Sequence, residues 1–396
     1  MKIAIVCYPT FGGSGVMATE LGMSLVDHGH EVHFIAYKKP VRLSDVNENL
    51  YFHKVNVPDY PLFSFVPYEL ALSTKLVGVV KQYSIDVLHV HYAIPHAYAA
   101  YMAKKMLKEQ SINIPIVTTL HGTDITLVGN HPSYKTAVTF SINKSDIVTC
   151  VSKSLKEDTL NQFEIKKEIK VIPNFIDINK YIIQQDLCVV ENPIPSKKFI
   201  ISHVSNFRPV KNIFNVIKVF YNIQKEIDCK LLMIGEGPEK IKAEKMCNDL
   251  GISNLVEFLG NTNQVEKNLC HSDLFLLPSS TESFGLAALE AMASKVAVIS
   301  SNAGGLPEIN IDGKTGYVCD FNDINSMTNK GMSILNDKKT LELFKENAFN
   351  KAKDYDINKI VPLYEKTYSE AVKIINQVLV ANQILILFSI NVLLPQ

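Results

Sequence analysis

The sequence predicts an α/β protein of two domains, each built on a parallel sheet. Three observations lead there. The chain has 396 residues, more than one ordinary core fills and enough for two. Short β-rich runs alternate with helix-like stretches from the first residues onward, the pattern of a parallel sheet with crossover helices. That rhythm lapses once, between about 176 and 198, and then restarts.

In the first half, 2–7, 31–36, 86–91, 114–120 and 146–151 read as strands, each followed by helix-like sequence. Residues 16–28 read as a helix stopped by Gly29. The segment 176–198 lacks clear periodicity and carries Pro193 and Pro195, which places the boundary between a first domain, 1–172, and a second, 173–356. Strands are expected again at 199–204, 230–234, 256–259, 274–277 and 296–299. After about Asn325 the sequence is helical, and a last helix near 357–375 is assigned to the first domain. The tail 376–396 is apolar and uncharged, interrupted between Val378 and Leu394 by Asn382, Gln383, Ser389 and Asn391. It falls short of a membrane span and reads as a packed or frayed helix. Ligands of such sheets bind beyond the carboxyl ends of the strands, so two facing Rossmann-like domains are expected to share a central cleft.

Apolar residues make up 47% and charged residues 20% of the chain, values of an ordinary globular protein. Forty basic residues balance forty acidic ones, so no net field recruits nucleic acid or an anionic membrane. Partners are expected to be small molecules, with self-association into a homo-oligomer left open. The seven cysteines are scattered and form no CxxC pair. They read as reduced, mostly buried thiols, with neither a disulfide framework nor a zinc site. Met1-Lys2 runs directly into the strand-like Ile3-Ala4-Ile5-Val6 without the features of a signal peptide, which suggests a cytoplasmic protein.

The residues that carry chemistry fall at predicted strand ends. Gly13, Ser14 and Gly15 lie in a glycine-rich turn that opens a helix, where free N–H groups suit an anion. Gly13, Gly15 and Ala18 also satisfy a dinucleotide fingerprint. The second strand, however, ends in Ala36-Tyr37-Lys38-Lys39 without an acid for a nicotinamide ribose, which leaves only an NADP reading. His89, His91, Tyr92 and His96 follow the third strand, and His121-Gly122-Thr123-Asp124 the fourth. Their spacing fits no common zinc pattern, so no metal is expected. His121 reads as a substrate contact and His89 as an interior residue.

In the second half, Asn206, Arg208 and Lys211 sit on a loop between a strand and a helix, two cations three residues apart. Arg offers a fixed fork of donors and Lys a compact charge, a pair that suits a diphosphate leaving group. Glu282 and Glu290 stand eight positions apart, about 12 Å along a helix axis. That is too far for an acid/base couple on one bond, but it fits a grip on two ends of an extended ligand. Between them the amides of Ser283, Phe284, Gly285 and Leu286 open a helix towards phosphate oxygens.

Asn206 to Lys211, Gly235-Glu236-Gly237-Pro238 and Glu282 to Glu290 together resemble the donor site of the retaining glycosyltransferases of family 4, which have the two-domain GT-B fold. More narrowly, 7–20, 89–96 and 118–124 resemble the malate-using branch of that family, which serves bacillithiol biosynthesis. The resemblance spans roughly 1–372. It implies UDP-N-acetylglucosamine as donor, L-malate as acceptor, retention at the anomeric carbon, and no metal or other cofactor. It assigns Glu290 to the uridine ribose, Glu282 to the sugar hydroxyls, and Arg208 with Lys211 to the diphosphate. Asn206, Gly235 and the amides of Ser283 to Leu286 assist on the donor. His121 sits near the sugar, and Gly13, Ser14, Gly15, Tyr92 and Thr119 receive the acceptor. Alternatives are another acceptor such as an inositol phosphate or a glycan, an NADP-dependent oxidoreductase, and an inactive sugar-nucleotide-binding protein. One departure stands out: Ala293-Ser294-Lys295-Val296-Ala297 replaces the Gly and Pro usual after this helix.

Overall fold

The structure, a computed structural model, describes the chain except residues 11, 44–47, 60, 62–64, 192–197 and 393–396, and gives backbone alone for 189–191 and 378–392. The chain divides into two compact units, Met1–Ile172 with Val361–Gln396, and Pro173–Ile360.

The first unit alternates β1 (Lys2–Val6), α1 (Gly13–Asp27), β2 (Glu31–Ala36), β3 (Leu50–Lys54), α2 (Tyr68–Tyr83), β4 (Val87–His91), α3 (Tyr98–Lys108), β5 (Ile116–Leu120), α4 (Pro132–Lys144), β6 (Ile147–Cys150), α5 (Lys153–Gln162) and β7 (Ile169–Val171). All strand pairs are parallel, in the order β3-β2-β1-β4-β5-β6-β7. Helices cover both faces of such a sheet, which is why residues 3–6 of β1 read as a continuous apolar run and β4 as apolar but for His89 and His91; Ile3, Ala4, Ile5, Val6, Val87, Leu88 and Val90 are fully buried.

The second unit runs α6 (Ile178–Glu191), β8 (Phe199–Val204), α7 (Ile213–Ile223), β9 (Cys229–Ile234), α8 (Lys240–Asp249), β10 (Val256–Gly260), α9 (Val265–Leu269), β11 (Leu274–Leu277), α10 (Leu286–Ala293), β12 (Ala297–Ser301), α11 (Leu306–Ile309), β13 (Gly316–Cys319), α12 (Ile324–Asn336), α13 (Lys338–Ala352) and the start of α14 (Ile357–Val392). Its parallel sheet has the order β10-β9-β8-β11-β12-β13. From Val361 onward α14 belongs to the first unit, where the Tyr368 hydroxyl lies 2.8 Å from His89 Nδ1 and both residues are fully buried.

Several expectations need correction. The strands β3, β7 and β13 were not expected: β3 and β7 are sheet edges, β13 opens with Gly316, and none carries a saturated apolar run. Residues 178–191 form a helix where the sequence reads as aperiodic. Its buried positions are Ile178, Tyr181, Gln184 and Cys188, a helical spacing masked by the polar Gln184 and by Cys188. Pro193 and Pro195 lie outside the described residues. Cys188 and Cys270 are not separate thiols but form a disulfide across 82 positions, with their Cα atoms 6.3 Å apart. The fold of α6 and α9, not sequence proximity, brings them together. The other five cysteines are buried thiols. The tail is helical in backbone as far as Val392. Among the described residues no helix is long and apolar enough to cross a membrane.

Candidate active site

In an open parallel sheet the crossovers leave to opposite faces where the strand order reverses, and the crevice there receives the ligand. The first sheet reverses between β1 and β4, and the residues following those two strands meet. Ser14 Oγ lies 2.7 Å from the Tyr92 hydroxyl. Gly12 is the N-cap of α1, with no side chain to cap the helix. A Cβ on Gly15 would stand 2.5 Å from the carbonyl oxygens of both Tyr8 and Thr10, so only glycine lets the helix start this close to the strand end. Gly13 is exposed and Ser14 and Tyr92 are half-buried.

Behind this turn lies a layer of imidazoles. His91 Nδ1 is 2.8 Å from Nε2 of the half-buried His121, and His96 Nδ1 donates to the His91 carbonyl at 2.5 Å. His91 Nε2 and His96 Nε2 are buried without a protein partner among the described residues. Burial keeps the rings neutral: it pushes His121 and His89 down to about 3 and His96 to about 4, and holds His91 well below the usual histidine range. Asp124 anchors the two loops to each other, accepting from the backbone N–H of Ala93 at 2.9 Å, Gly122 at 3.0 Å and His121 at 3.2 Å. Burial pushes its carboxyl up to about 6. His89 is interior, as expected. Thr119 is the correction: it is fully buried, and its hydroxyl lies 2.8 Å from His89 Nε2 and 2.7 Å from Thr149 Oγ1. It supports the imidazole layer from inside the sheet, and its hydroxyl is held there, closed off from solvent.

The second sheet reverses between β8 and β11, and there Lys211 Nζ meets Glu282 Oε2 at 2.5 Å with both side chains largely buried. The loop after β8 is anchored by the fully buried Phe207, which leaves Asn206 and Arg208 exposed. The two loops are tied by the Ser280 N–H to the Val210 carbonyl (2.8 Å) and by the Asn212 amide to the Pro278 carbonyl (3.0 Å). A third loop, after β12, completes the support. The Gly305 N–H donates to the Glu282 carbonyl at 3.0 Å. Gly304, at φ +53°, approaches so closely that a Cβ would stand 1.9 Å from the same oxygen. The sequence reading missed Gly304, although a Gly-Gly pair just after a predicted strand end was the available signal. It also missed the buried His203, whose Nε2 lies 2.7 Å from Ser205 Oγ at the base of the loop.

Glu282 thus sits on the loop before α10 and Glu290 within α10, where it is buried. Gly285 is the N-cap of that helix, Phe284 packs edge-on against Tyr355, and Ser283 and Leu286 are half-buried beside them. Gly235 ends β9 in a left-handed conformation, with its N–H bonded to the Gly260 carbonyl at 2.8 Å. The departure after α10 also has a structural reading, since Lys295 adopts φ +54°, the conformation a glycine there would hold without strain.

Two loop pairs, each joined by a side-chain contact at a switch point, describe a pair of nucleotide-type sheets, and comparison with known proteins identifies them. Residues 11–180 match the profile described as Glycosyltransferase Family 4, and residues 185–351 the profile Glycosyl transferases group 1. The N-acetyl-alpha-D-glucosaminyl L-malate synthase of Bacillus anthracis is 43% identical over 375 residues, covering 94% of this chain and 98% of that one. The chain belongs to glycosyltransferase family 4. Another relative, the uncharacterized glycosyltransferase MJ1607 of Methanocaldococcus jannaschii, is 30% identical over 78% of this chain and 82% of its own. Among solved structures, a sucrose-phosphate synthase from Thermosynechococcus elongatus superposes with a TM-score of 0.76 at 18% identity, covering 93% of this chain and 98% of that one. Anabaena Alr3699/HepE, solved with UDP and glucose, gives 0.74 at 18%, covering 93% and 99%. The fold of this glycosyltransferase is therefore GT-B, and its membership closes the oxidoreductase reading of the Gly13 to Ala18 turn.

Proposed function

We propose that this glycosyltransferase moves N-acetylglucosamine from UDP-N-acetylglucosamine to the hydroxyl of L-malate with retention at the anomeric carbon, in the cytoplasm, without a metal ion, as the first step of bacillithiol biosynthesis. The observation that carries this reading is the 43% identity to the B. anthracis synthase along nearly the whole of both chains. The Lys211–Glu282 pair supports it. A largely buried cation beside a carboxylate at the switch point offers a charge for the diphosphate and an acceptor for a sugar hydroxyl within one contact.

In this reading Arg208 and Lys211 neutralise the negative charge that grows on the departing UDP, the work a metal ion does elsewhere. Glu290 holds the uridine ribose, and Asn206, Gly235 and the amides of Ser283 to Leu286 seat the phosphates. Ser14, Tyr92 and the opening amides of α1 at Gly13 and Ser14 receive the malate carboxylates, with Gly15, whose N–H is held by the Gly12 carbonyl, keeping the turn close. The neutral His121 donates a hydrogen bond to the sugar. The acceptor hydroxyl attacks from the face that UDP leaves, and the leaving phosphate oxygen takes its proton, so no enzyme nucleophile is required.

The test is a reaction of the purified chain with both substrates in excess chelator, followed by proton NMR of the product. Glucosaminyl malate with the donor's anomeric configuration is expected. Product of inverted configuration, or activity only after a divalent cation is restored, would overturn the mechanism.

A further inference from the structure

Away from both switch points, three reactive side chains gather in the second unit. Cys188 lies in the last turn of α6, Cys270 caps α9, and His271 follows it. Their sulfur and nitrogen atoms all lie within 4.8 Å of one another. The Cys188 sulfur is 3.3 Å from His271 Nδ1 and 3.4 Å from Nε2. The two Cα atoms are 6.3 Å apart, within the span that a disulfide bridges, and the bond is closed in this structure. The remaining cysteines are a different population. All five are buried, and burial pushes Cys7 and Cys229 up to about 12 and Cys247 to about 11, which makes them poor nucleophiles. Cys270 and His271, by contrast, are only half-buried and open to solvent.

We propose that Cys188 and Cys270 form a reversible thiol–disulfide site, assisted by His271, that low-molecular-weight disulfides close and low-molecular-weight thiols reopen. Disulfides in reducing compartments are mostly transient or redox-sensing, and a thiol next to an imidazole is the kind that reacts. The Cys270 thiolate, the more exposed of the two, attacks a small disulfide RSSR, forming Cys270–S–S–R and releasing one RS⁻. Cys188 then passes its proton to His271 and attacks the Cys270 sulfur, closing the protein disulfide and releasing the second RS⁻. Two protein thiols are oxidised and one RSSR is reduced to two thiols, which take up the two protons lost by the protein. The closed bond ties α6 to the segment that enters β11, whose far end carries the Glu282 loop. Gln185 on the same helix already donates to the Ser294 carbonyl that closes α10.

The full chain, reduced with dithiothreitol and freed of it, is exposed to oxidised glutathione under native conditions, alkylated and mapped by mass spectrometry. Expected are the loss of two of the seven thiols, a linked peptide pair containing Cys188 and Cys270, no retained glutathione, and full reversal by dithiothreitol. The unfolding midpoint rises by several degrees on closure, because the bond constrains a long loop of the unfolded chain. Cys188→Ser leaves glutathione trapped on Cys270. His271→Asn reaches the same final bond at least several-fold more slowly at neutral pH, with the pH–rate profile displaced to higher pH, a readout that a purely structural histidine would not move. A different cysteine pair, persistent glutathione on the native chain, an unchanged pH–rate profile in His271→Asn, or a reduced protein that binds one zinc ion through these residues and ceases to react would overturn the proposal.

Discussion

Gly304→Ala tests how far the donor loop depends on backbone contact. The new Cβ would stand 1.9 Å from the Glu282 carbonyl oxygen and 3.0 Å from its carbon. Ordinary contact needs about 3.4 Å or more, so the two segments must separate by about 1.5 Å. The residue would also sit at φ +53°, which costs a non-glycine residue about 1 kcal/mol. The atom displaced belongs to the peptide of Glu282, which holds the Gly305 N–H bond and aims the side chain at Lys211. A displacement of about 1 Å in a positioned group costs on the order of 100-fold in rate, or about 2.7 kcal/mol of transition-state stabilisation. We therefore expect kcat/KM to fall by about two orders of magnitude. UDP affinity should change much less if, as proposed, the ribose is held by Glu290 on α10. Steady-state UDP release, UDP titration calorimetry and a thermal melt separate these effects. A variant that stays folded and retains kcat/KM within about threefold of the parent would refute the reasoning.

Three further outcomes follow from the same geometry. Lys211→Ala should lower kcat by on the order of 10² to 10³ while leaving the KM for malate nearly unchanged; unchanged turnover in a steady-state assay would remove Lys211 from the leaving-group role. Lys295→Gly should raise stability by up to about 1 kcal/mol in urea unfolding. Relief of the left-handed strain outweighs the extra freedom of the unfolded chain and the loss of the Lys295 contact with the Phe349 ring; a clear loss of stability would show that φ +54° carries no strain here. Acid should destabilise the fold. His89, His96 and His203 are fully buried and held down to about 3, 4 and 4, so the unfolded chain binds more protons than the folded one below pH 6.5, and stability is lost as pH falls from there towards 4. At pH 5.5 each contributes a loss of about 1.4 kcal/mol. Asp124, raised to about 6, works in the opposite direction and offsets somewhat less than 1 kcal/mol. Urea unfolding at pH 7.5 and 5.5 should therefore differ by at least about 3 kcal/mol, with His91, His121 and His53, likewise held down by burial, adding to the loss, and equal stabilities would contradict the buried neutral imidazoles.

What the sequence revealed tracks burial. Residues 3–6 of β1 and all of β11 are buried, unbroken apolar runs, and β2 and β8 keep apolar stretches around His33 and Ser202-His203, so their positions were legible. β3, with its half-exposed Leu50-Tyr51-Phe52-His53-Lys54, and the three-residue β7 carry no such signal. Two-sided burial also explains the misplacement of Thr119. In a half-exposed strand, alternation separates inward from outward residues, but Thr118 and Thr119 are both fully buried, so strand parity gives no clue to which faces a ligand. At the site, Lys211 and Glu282 were legible as residue types at strand ends. Their contact joins positions 71 apart and exists only because β8 and β11 are neighbours. The same holds for Ser14 and Tyr92, 78 apart across β1 and β4. The Cys188–Cys270 bond was invisible for a related reason, since α6, which brings Cys188 into place, hides its helical period behind Gln184 and Cys188 itself.

The measurement that tests the central claim most directly is kcat/KM for a panel of acceptors with UDP-N-acetylglucosamine in metal-free buffer, following UDP release and product mass. The account predicts turnover with L-malate and a glucosaminyl malate mass, with inositol phosphate and glycan acceptors at least 100-fold poorer, because a site built to pair a ligand's polar groups rejects ligands that leave them unpaired. Turnover confined to an inositol phosphate or a glycan would contradict it, leaving a family 4 glycosyltransferase whose acceptor loops were misread.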